Sequence, residues 1–353
     1  MLFCKTAANV GIFFIHYPKR LIILRPKSKT AMTTETFATL SILLICWIAL
    51  IILDAAVCGL LYAIFGTSFR KAFLYGLISL CIPPLCIAYG SLFERNRVQV
   101  NEVEISSAEV PEGFDGYRIV HISDIHARSF QKRGKVLQKM AARINGLDAD
   151  LIAFTGDIIT MDSSELDSLS HILKGLEAKD GVMSVLGNHD YCIYAHPEAA
   201  DDDVSKVIEK EKAMGWNVLI DENRRITRGK DTIAVIGVEN TSPSRHFPSK
   251  GDLAKVSEGT EGLFRILLSH DPMHWDMEVL GKDYPLTLSG HTHAMQFSLG
   301  RWCPSKYMFR QYRGLYTVNS QHLYVNIGLG ETIFPARIGA VPEITLITLK
   351  RDS

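Results

Sequence analysis

The sequence predicts a mixed domain of helices and strands, of the α/β (α+β) class, preceded by N-terminal transmembrane helices. Two long apolar runs occupy residues 37–65 and 72–93, whereas strand-like and helix-like segments alternate after residue 98. Between residues 117 and 186, three short apolar strand candidates are separated by helical segments, which is the pattern of parallel strands joined by helices. Each of these strand candidates ends in polar residues. In such folds ligands bind beyond the carboxyl ends of the strands, so we expect a site at that edge.

The composition excludes several classes of protein. Lys plus Arg and Asp plus Glu are both 38, so the formal net charge is zero. Binding to a nucleic-acid backbone usually needs a basic excess, and no nucleic-acid partner is expected. The seven cysteines form no CxxC pair and show no regular spacing. The sequence therefore supports neither a disulfide framework nor a thiolate zinc site.

The apolar runs divide the chain into segments. Residues 1–36 form a basic N-terminal segment, and residues 37–97 form a membrane region with about two transmembrane helices. A helix needs roughly 20 apolar residues to cross the hydrocarbon core, and the first run exceeds that length. Asp54 lies inside it, so this carboxyl faces a partner helix or lies near the membrane interface. Pro83 and Pro84 interrupt the second run and predict a kink or a break there. A buried helical hairpin of a soluble protein is the alternative.

The positive charges predict the orientation. Six basic residues and no acidic one precede the first apolar run before Glu35, which favours a cytoplasmic N-terminus. Two spans return the chain to the cytoplasm, so we expect an integral membrane protein whose remaining domain, after residue 97, faces the cytoplasm. A different count of spans reverses that orientation.

Five strand candidates end in side chains that bind metals. They are Asp124 and His126, then Asp157, then Asn188 with His189 and Asp190, then His270, and then His291 and His293. Carboxylate, amide and imidazole groups together suit Mn, Fe or Zn, whereas an all-oxygen set would favour Mg or Ca. Seven ligand candidates, without His189 and Asp190, are too many for one ion but fit two ions that share a carboxylate. Such a pair can clamp both the attacking and the leaving oxygen of a phosphoryl transfer.

The ordered motifs DxH, GD, GNHD, a lone His and GHxH resemble those of the calcineurin-like metallophosphoesterase superfamily. Over roughly residues 98–350 the chain is most similar to the bacterial membrane-anchored YkuE/YaeI-like branch. The resemblance implies a metallophosphoesterase domain at residues 98–353, with a two-sheet β-sandwich core flanked by helices. It also implies two divalent metal ions and localisation in the bacterial inner membrane. Ala294 departs from the branch, which commonly has Gly there.

The resemblance assigns roles to the candidate residues. It implies that Asp124, His126 and His293 hold the first metal, that Asp157 bridges the two metals, and that Asn188, His270 and His291 hold the second. His189 would donate a proton to the leaving oxygen or stabilise the transition state. Asp190 would orient His189.

The predicted function is a membrane-anchored dinuclear phosphoesterase that hydrolyses a phosphodiester or pyrophosphate through a metal-bridged hydroxide. The membrane region makes the lipid bilayer a partner and a lipid-linked phosphorylated substrate an option, of which a UDP-diacylglucosamine-type pyrophosphate is one example. The alternative is a catalytically silent, membrane-bound, metal-binding scaffold of the same fold. Arg245 and His246 lie in a loop that could meet a substrate phosphate, and a solvated loop is the alternative for them.

Overall fold

The computed structural model describes residues 34–195 and 197–352. Most of the predicted basic segment at residues 1–36 therefore lies outside the described residues. The described strands run from Gln99 to Arg351. The segment and domain bounds drawn at residues 36, 97 and 98 stay predictions.

The apolar runs form a helical hairpin, which here means residues 34–96. Helix α1 (Thr34–Phe65) is followed by α2 (Phe69–Gly76), a 3₁₀ segment (Leu77–Cys81) and α3 (Ile82–Leu92). Two stretches, Glu35–Phe65 and Phe69–Asn96, are long and apolar enough to cross a membrane by length and composition.

The break predicted at the two prolines lies just before them. The chain forms 3₁₀ turns up to Cys81, and Pro83 and Pro84 then occupy the first turn of α3. Proline is tolerated in the first turn because backbone N–H groups there have no acceptor within the helix, so the missing N–H of proline costs no hydrogen bond. Asp54 faces the partner helix, which was one of its two predicted locations. The carboxylate of Asp54 lies so close to Gly76 of α2 that a Cβ at Gly76 would clash with it.

Two mixed sheets form the domain that follows the hairpin. The first has the order β1, β12, β2, β3, β4, β5, and the second has the order β10, β11, β9, β8, β7, β6. The strands of the first sheet are β1 (Gln99–Ser107), β2 (Arg118–Ile122), β3 (Leu151–Phe154), β4 (Val182–Ser184), β5 (Asn217–Val218) and β12 (Glu343–Arg351). Those of the second sheet are β6 (Glu222–Arg228), β7 (Asp231–Gly237), β8 (Phe264–Leu268), β9 (Leu286–Ser289), β10 (Gly314–Val318) and β11 (Gln321–Val325).

The helices cover the outer faces of the two sheets. They are α4 (Gly134–Asn145), α5 (Ser170–Leu173), α6 (Ala200–Ala213) and α7 (Leu253–Val256). Ile119 of β2 packs in the core between the sheets, whereas its neighbour Val120 packs in the core under the helices. This alternation follows from the two-residue period of a strand. The predicted fold class, two sheets flanked by helices, is confirmed.

The order of the strands brings the candidate site together. Within the first sheet β2, β3 and β4 are adjacent and parallel, and within the second sheet β8 and β9 are adjacent and parallel. Parallel neighbours end at the same edge of a sheet, so the loops after these five strands meet.

Candidate functional site

The loops after the five strands place all seven candidate ligands in one cluster. Asp124, His126, Asp157 and His293 form one group whose possible ligand atoms lie within 4.8 Å of one another. Asp157, His270 and His291 form a second group under the same limit. Asp157 is common to both groups, and Asn188 joins the second, with its Oδ1 3.2 Å from His270 Nε2.

Nitrogen and oxygen atoms converge at both ends of this cluster. On one side His293 Nε2 lies 3.2 Å from Asp124 Oδ1 and 3.0 Å from His126 Nε2. On the other side His270 Nε2 lies 3.2 Å from Asp157 Oδ2 and 3.2 Å from His291 Nδ1. Imidazole nitrogens that face one another at such distances, with carboxylates between them, make a donor set that fits two divalent cations.

The charges of the site also call for a cation. Burial alone would lower the pKa of His270, but the carboxylates of Asp157 and Asp124 outweigh it and raise that pKa to about 10. Burial raises the pKa of Asp157, but His270, His189 and His126 outweigh it and hold the pKa well below its usual range. The buried carboxylates of Asp157 and Asp124 therefore stabilise a positive charge placed beside them, whether on an imidazolium or on a metal ion.

The other ring nitrogens of two histidines are held by backbone carbonyls. His270 Nδ1 donates to the carbonyl of Thr155 at 2.6 Å, and His189 Nδ1 donates to the carbonyl of Thr160 at 2.6 Å. A carbonyl only accepts, so Nδ1 carries the hydrogen in both rings and Nε2 offers its lone pair when the ring is neutral. In His270 the carbonyl thus fixes the tautomer whose Nε2 is able to bind a metal.

His189 differs from most of the candidate ligands because its side chain is partly exposed. Its ring stands edge-on to that of His126 at 4.9 Å and lies 4.7 Å from that of Tyr194. Tyr194 also accepts a hydrogen bond from Asn188 Nδ2 at 3.0 Å. The sequence analysis missed Tyr194, because a tyrosine that follows the motif by several residues carries no ligand pattern.

Asp190 was predicted to orient His189, but its carboxylate binds backbone N–H groups instead. Its carboxylate accepts the backbone N–H groups of Asp157 at 2.7 Å, Gly187 at 2.8 Å and Ile159 at 3.2 Å, while the Thr160 carbonyl orients His189. Burial, and then the negative charge of Asp157, raise the pKa of Asp190 to about 7. Asp190 is therefore a positioning residue that ties the loop after β3 to the loop after β4.

Backbone strain marks the same loops. Five of the seven candidate ligands have a left-handed φ, which costs a residue with a side chain on the order of 1–3 kcal/mol. They are Asp124 at 49°, His126 at 44°, Asp157 at 58°, His291 at 72° and His293 at 49°. Such strain persists only where the surrounding structure enforces it, and it concentrates at functional sites.

Two motif glycines let backbone approach the carboxylates. A Cβ at Gly187 would clash with Asp157, and a Cβ at Gly290 would clash with Ser123 and Asp124. The glycines of the GNHD and GHxH motifs are therefore needed for close packing around the acidic candidate ligands.

We expect Gly290→Ala to displace Asp124 and to weaken metal binding by about 10–100-fold, the scale seen when groups that support metal ligands are changed. Metal titration followed by calorimetry measures this affinity. Gly134→Ala is the matched control, because a Cβ there meets only Ile172 and Leu169, each at an ordinary 3.8 Å, at the start of α4. Equal metal affinity in both variants would contradict the assigned packing role of Gly290.

Arg245 and His246, the predicted substrate contacts, are exposed in the loop between β7 and α7. The adjacent Phe247 reaches the site, with its ring 5.0 Å from that of His291. Substrate binding by Arg245 and His246 stays a prediction. Cys192 is buried, and burial raises the pKa of its thiol far above its usual range, which disfavours the thiolate that a nucleophile needs.

One further residue contacts the site. Arg337 is fully buried, and its Nη2 lies 3.3 Å from His293 Nδ1. The same guanidinium donates to the carbonyls of Ile327, Gly330 and Ala340. It therefore holds the loop before β12 against a candidate ligand, and no motif in the sequence pointed to it.

Comparisons with known proteins agree with this geometry. The sequence profile of the calcineurin-like phosphoesterases matches residues 117–295. The uncharacterized metallophosphoesterase YkuE of Bacillus subtilis is 33% identical over 273 residues, which cover 74% of this chain and 89% of that protein. A transmembrane protein with a metallophosphoesterase domain from Danio rerio is 33% identical over 301 residues, 82% of this chain and 65% of the relative. The UDP-2,3-diacylglucosamine pyrophosphatase LpxG of Chlamydia trachomatis is 26% identical over 302 residues, 71% of this chain and 89% of the relative.

Proposed function

This chain belongs to the calcineurin-like phosphoesterase family, and we propose that it is a membrane-anchored phosphodiesterase or pyrophosphatase with a lipid-linked substrate. Membership makes it a metal-dependent phosphoric ester hydrolase, of a family that uses a dinuclear divalent metal site. The observation that carries the proposal is the sharing of Asp157 between two groups of candidate ligands. An unshared cluster would hold one ion and would have no second position for the leaving oxygen.

We propose the following division of ligands. Asp124, His126 and His293 hold the first ion, Asn188, His270 and His291 hold the second, and Asp157 binds both. When bound, two such ions would neutralise negative charge on the phosphoryl oxygens and lower the pKa of an attacking water. The mixed oxygen and nitrogen donors favour Mn, Fe or Zn.

The protein's own residues supply the proton. His189 is anchored through Nδ1 on the Thr160 carbonyl, so its Nε2 is the atom that can carry a proton to the leaving oxygen. Its partial exposure leaves room for a substrate beside the buried ligands. Arg245 and His246 would bind a substrate phosphate from the same side as Phe247.

Three observations support the lipid-linked substrate and the membrane location. The hairpin has two stretches able to cross a membrane by length and composition, and a relative is named as a transmembrane protein. Another relative is named as a pyrophosphatase of UDP-2,3-diacylglucosamine, which carries acyl chains. The basic residues before Glu35 support a catalytic domain on the cytoplasmic face, and in a bacterium the membrane would be the inner one.

Metal analysis and hydrolysis of model substrates test this function. We expect the purified full-length protein to carry about two transition-metal ions per chain. It should hydrolyse an aryl phosphodiester in the presence of Mn²⁺, and chelation should remove that activity. Mass spectrometry for metals and release of nitrophenol provide the two readouts.

The result also separates the two candidate functions. A catalytically silent scaffold would bind metal without hydrolysing any diester or pyrophosphate, and a chain without metal would contradict both functions. The complete ligand set favours the enzyme. A series of monoester, diester and diacylated pyrophosphate substrates should show the highest kcat/KM for the last.

A further inference from the structure

Exposed apolar side chains of the catalytic domain concentrate in one segment. Among the described residues after the hairpin, every large exposed hydrophobic side chain except Met277 lies between residues 295 and 333. They are Met295, Leu299, Trp302, Tyr307, Met308, Leu315, Val318 and Ile333. A contiguous exposed apolar patch on a domain marks a contact with a partner or a membrane.

Four of these side chains form what we call the loop surface: Leu299, Trp302, Tyr307 and Met308. Their exposed fractions are 73%, 42%, 72% and 53%. Trp302 Nε1 lies 3.4 Å from the Tyr307 hydroxyl, and Leu299 N donates to the Trp302 carbonyl at 2.8 Å. Trp and Tyr are the residues that favour the boundary between lipid and water.

The charge of the same segment is entirely positive. No Asp or Glu occurs between Asp283 and Glu331, whereas Arg301, Lys306, Arg310 and Arg313 do. Basic residues beside exposed aromatic and aliphatic side chains complement the anionic headgroups of a bilayer.

The loop at residues 331–338, which follows this segment, contacts the hairpin at the membrane end of the domain. Ser91 Oγ donates to the Pro335 carbonyl at 2.9 Å, and Arg95 pairs with Glu331 at 3.1 Å. A Cβ at Gly90 would clash with Arg337 and crowd Ile338, so the last turn of α3 packs directly on this loop. The start of α1 reaches the domain as well, through Glu35 and Arg128 at 3.3 Å.

The loop at residues 331–338 also contacts the residues that precede the loop surface. Ile338 forms a parallel bridge with Phe297, and Ser298 N donates to the Ile338 carbonyl at 2.7 Å. Phe297 then meets Trp302, with ring centroids 5.9 Å apart. A series of contacts from Gly90 through Ile338 and Phe297 therefore connects the last turn of α3 to Trp302 of the loop surface.

The segment also reaches the candidate site. The ring of Phe309, next to Met308, stands edge-on to that of His291 at 5.6 Å. His293 lies two residues before Met295. A substrate held in the bilayer would therefore meet the loop surface before it meets the metal ligands.

We propose that the loop surface is a membrane-contact site, which lies in the interfacial layer of the bilayer that holds the hairpin, beside the mouth of the active site. It binds anionic lipid headgroups through its basic residues and acyl chains through its apolar ones. The proposal rests on the membrane anchoring proposed above and names the contact that would let a lipid-linked substrate enter without leaving the membrane.

Fluorescence quenching in vesicles tests this contact without reference to activity. The full-length protein is reconstituted in vesicles of phosphatidylcholine and phosphatidylglycerol whose acyl chains are brominated near the headgroup or near the bilayer centre. The chain has four tryptophans, of which Trp47 lies in α1, Trp302 in the loop surface, and Trp216 and Trp275 in the protein core. We expect Trp302→Phe to remove the component that bromines near the headgroup quench, and Trp47→Phe to reduce the quenching by deeper bromines.

The controls separate this proposal from the anchoring on which it rests. Trp216→Phe should leave both quenched components unchanged, because Trp216 packs against Phe154 in the core. Quenching that Trp47→Phe reduces and Trp302→Phe does not would overturn the membrane-contact site and leave the anchoring intact. If neither variant changed the quenching, the anchoring itself would be wrong. Trp302 that remained accessible to aqueous acrylamide in vesicles would also contradict the proposal, and would leave a protein partner as the occupant.

The basic residues make a second, independent measurement possible. Replacing phosphatidylglycerol by phosphatidylcholine should reduce the quenching of Trp302, and the double variant Arg301→Gln, Lys306→Gln should remove this dependence on anionic lipid. Quenching of Trp302 that was the same with and without anionic lipid would show that these charges take no part in the contact.

Discussion

Asp157→Asn should abolish the binding of both metals and lower kcat/KM by roughly 10⁴-fold or more, the scale on which loss of one essential member of a catalytic unit acts. Asp157 is the only residue shared by the two groups of possible ligands among the residues that the structure describes. Its Oδ2 lies 3.2 Å from His270 Nε2 and 3.6 Å from His126 Nε2, so one carboxylate reaches both halves of the site. Removing its charge therefore weakens both metal positions together.

Asparagine preserves the shape and the Oδ1 acceptor that binds the backbone N–H of His189 at 2.8 Å. The substitution should therefore leave the fold intact, which circular dichroism and thermal unfolding check. Metal content by mass spectrometry and hydrolysis of an aryl phosphodiester are the readouts.

Asp150→Asn is the matched control at the opposite end of the same strand. Asp150 is also buried, but it pairs with Lys179 at 3.0 Å and Arg228 at 2.8 Å, far along β3 from the site. That variant should lose some stability and keep both metals. If Asp157→Asn retained two ions, or if Asp150→Asn lost them, the bridging assignment would fail.

The sequence predicted the candidate site better than it predicted the contacts around it. Polar residues at the ends of apolar strands have no role in packing, so Asp124, Asp157 and His291 stood out from the pattern alone. The resemblance then grouped them, and the two groups of possible ligands in the structure contain the Asp and His residues of that grouping, with Asn188 beside His270. The meeting of these strand ends at one edge followed from the parallel pattern, whereas the order of the strands in the two sheets was not predicted.

The hydrogen bonds between side chains of the site and the backbone could not be predicted from the sequence. The carbonyl of Thr160, which holds His189, belongs to the peptide group and leaves no trace in residue identity. Asp190 was assigned to His189 because the two are adjacent in the chain, but in a tight 3₁₀ turn (His189–Tyr191) the carboxylate reaches Gly187 and Asp157 instead. Proximity in sequence misled the prediction.

Two edge strands also escaped prediction. β6 exposes most of its residues, and only Ile226 is buried, so it shows no apolar alternation. β10 at the opposite edge of the same sheet has no buried residue. Pairing with a neighbouring strand, rather than burial of an apolar face, determines such strands, and a single sequence does not display its pairing partners.

His189→Ala should keep both metals and lower kcat by about 10²–10⁴-fold, the usual contribution of a general acid. His189 belongs to neither group of possible ligands, its Nδ1 is committed to the Thr160 carbonyl, and its side chain is partly exposed beside His126. It can therefore meet a leaving oxygen without holding a metal. Metal analysis and steady-state kinetics measure the two halves of this expectation.

The leaving group provides the decisive comparison. A nitrophenolate leaves readily without a proton, whereas an alkoxide or an unsubstituted phenolate needs one, so the loss of rate should grow as the leaving group becomes more basic.

Asn188→Ala should behave differently, with a weakened second metal and a similar loss for every leaving group, because the Oδ1 of Asn188 faces His270 Nε2. His171→Ala, on the exposed face of α5, serves as the histidine control and should change nothing. A loss of rate in His189→Ala that was the same for all leaving groups would assign His189 to stabilising charge on the phosphoryl group instead of donating a proton. Adjacent residues of one loop would then both act on the phosphate, and the proton would have to come from water.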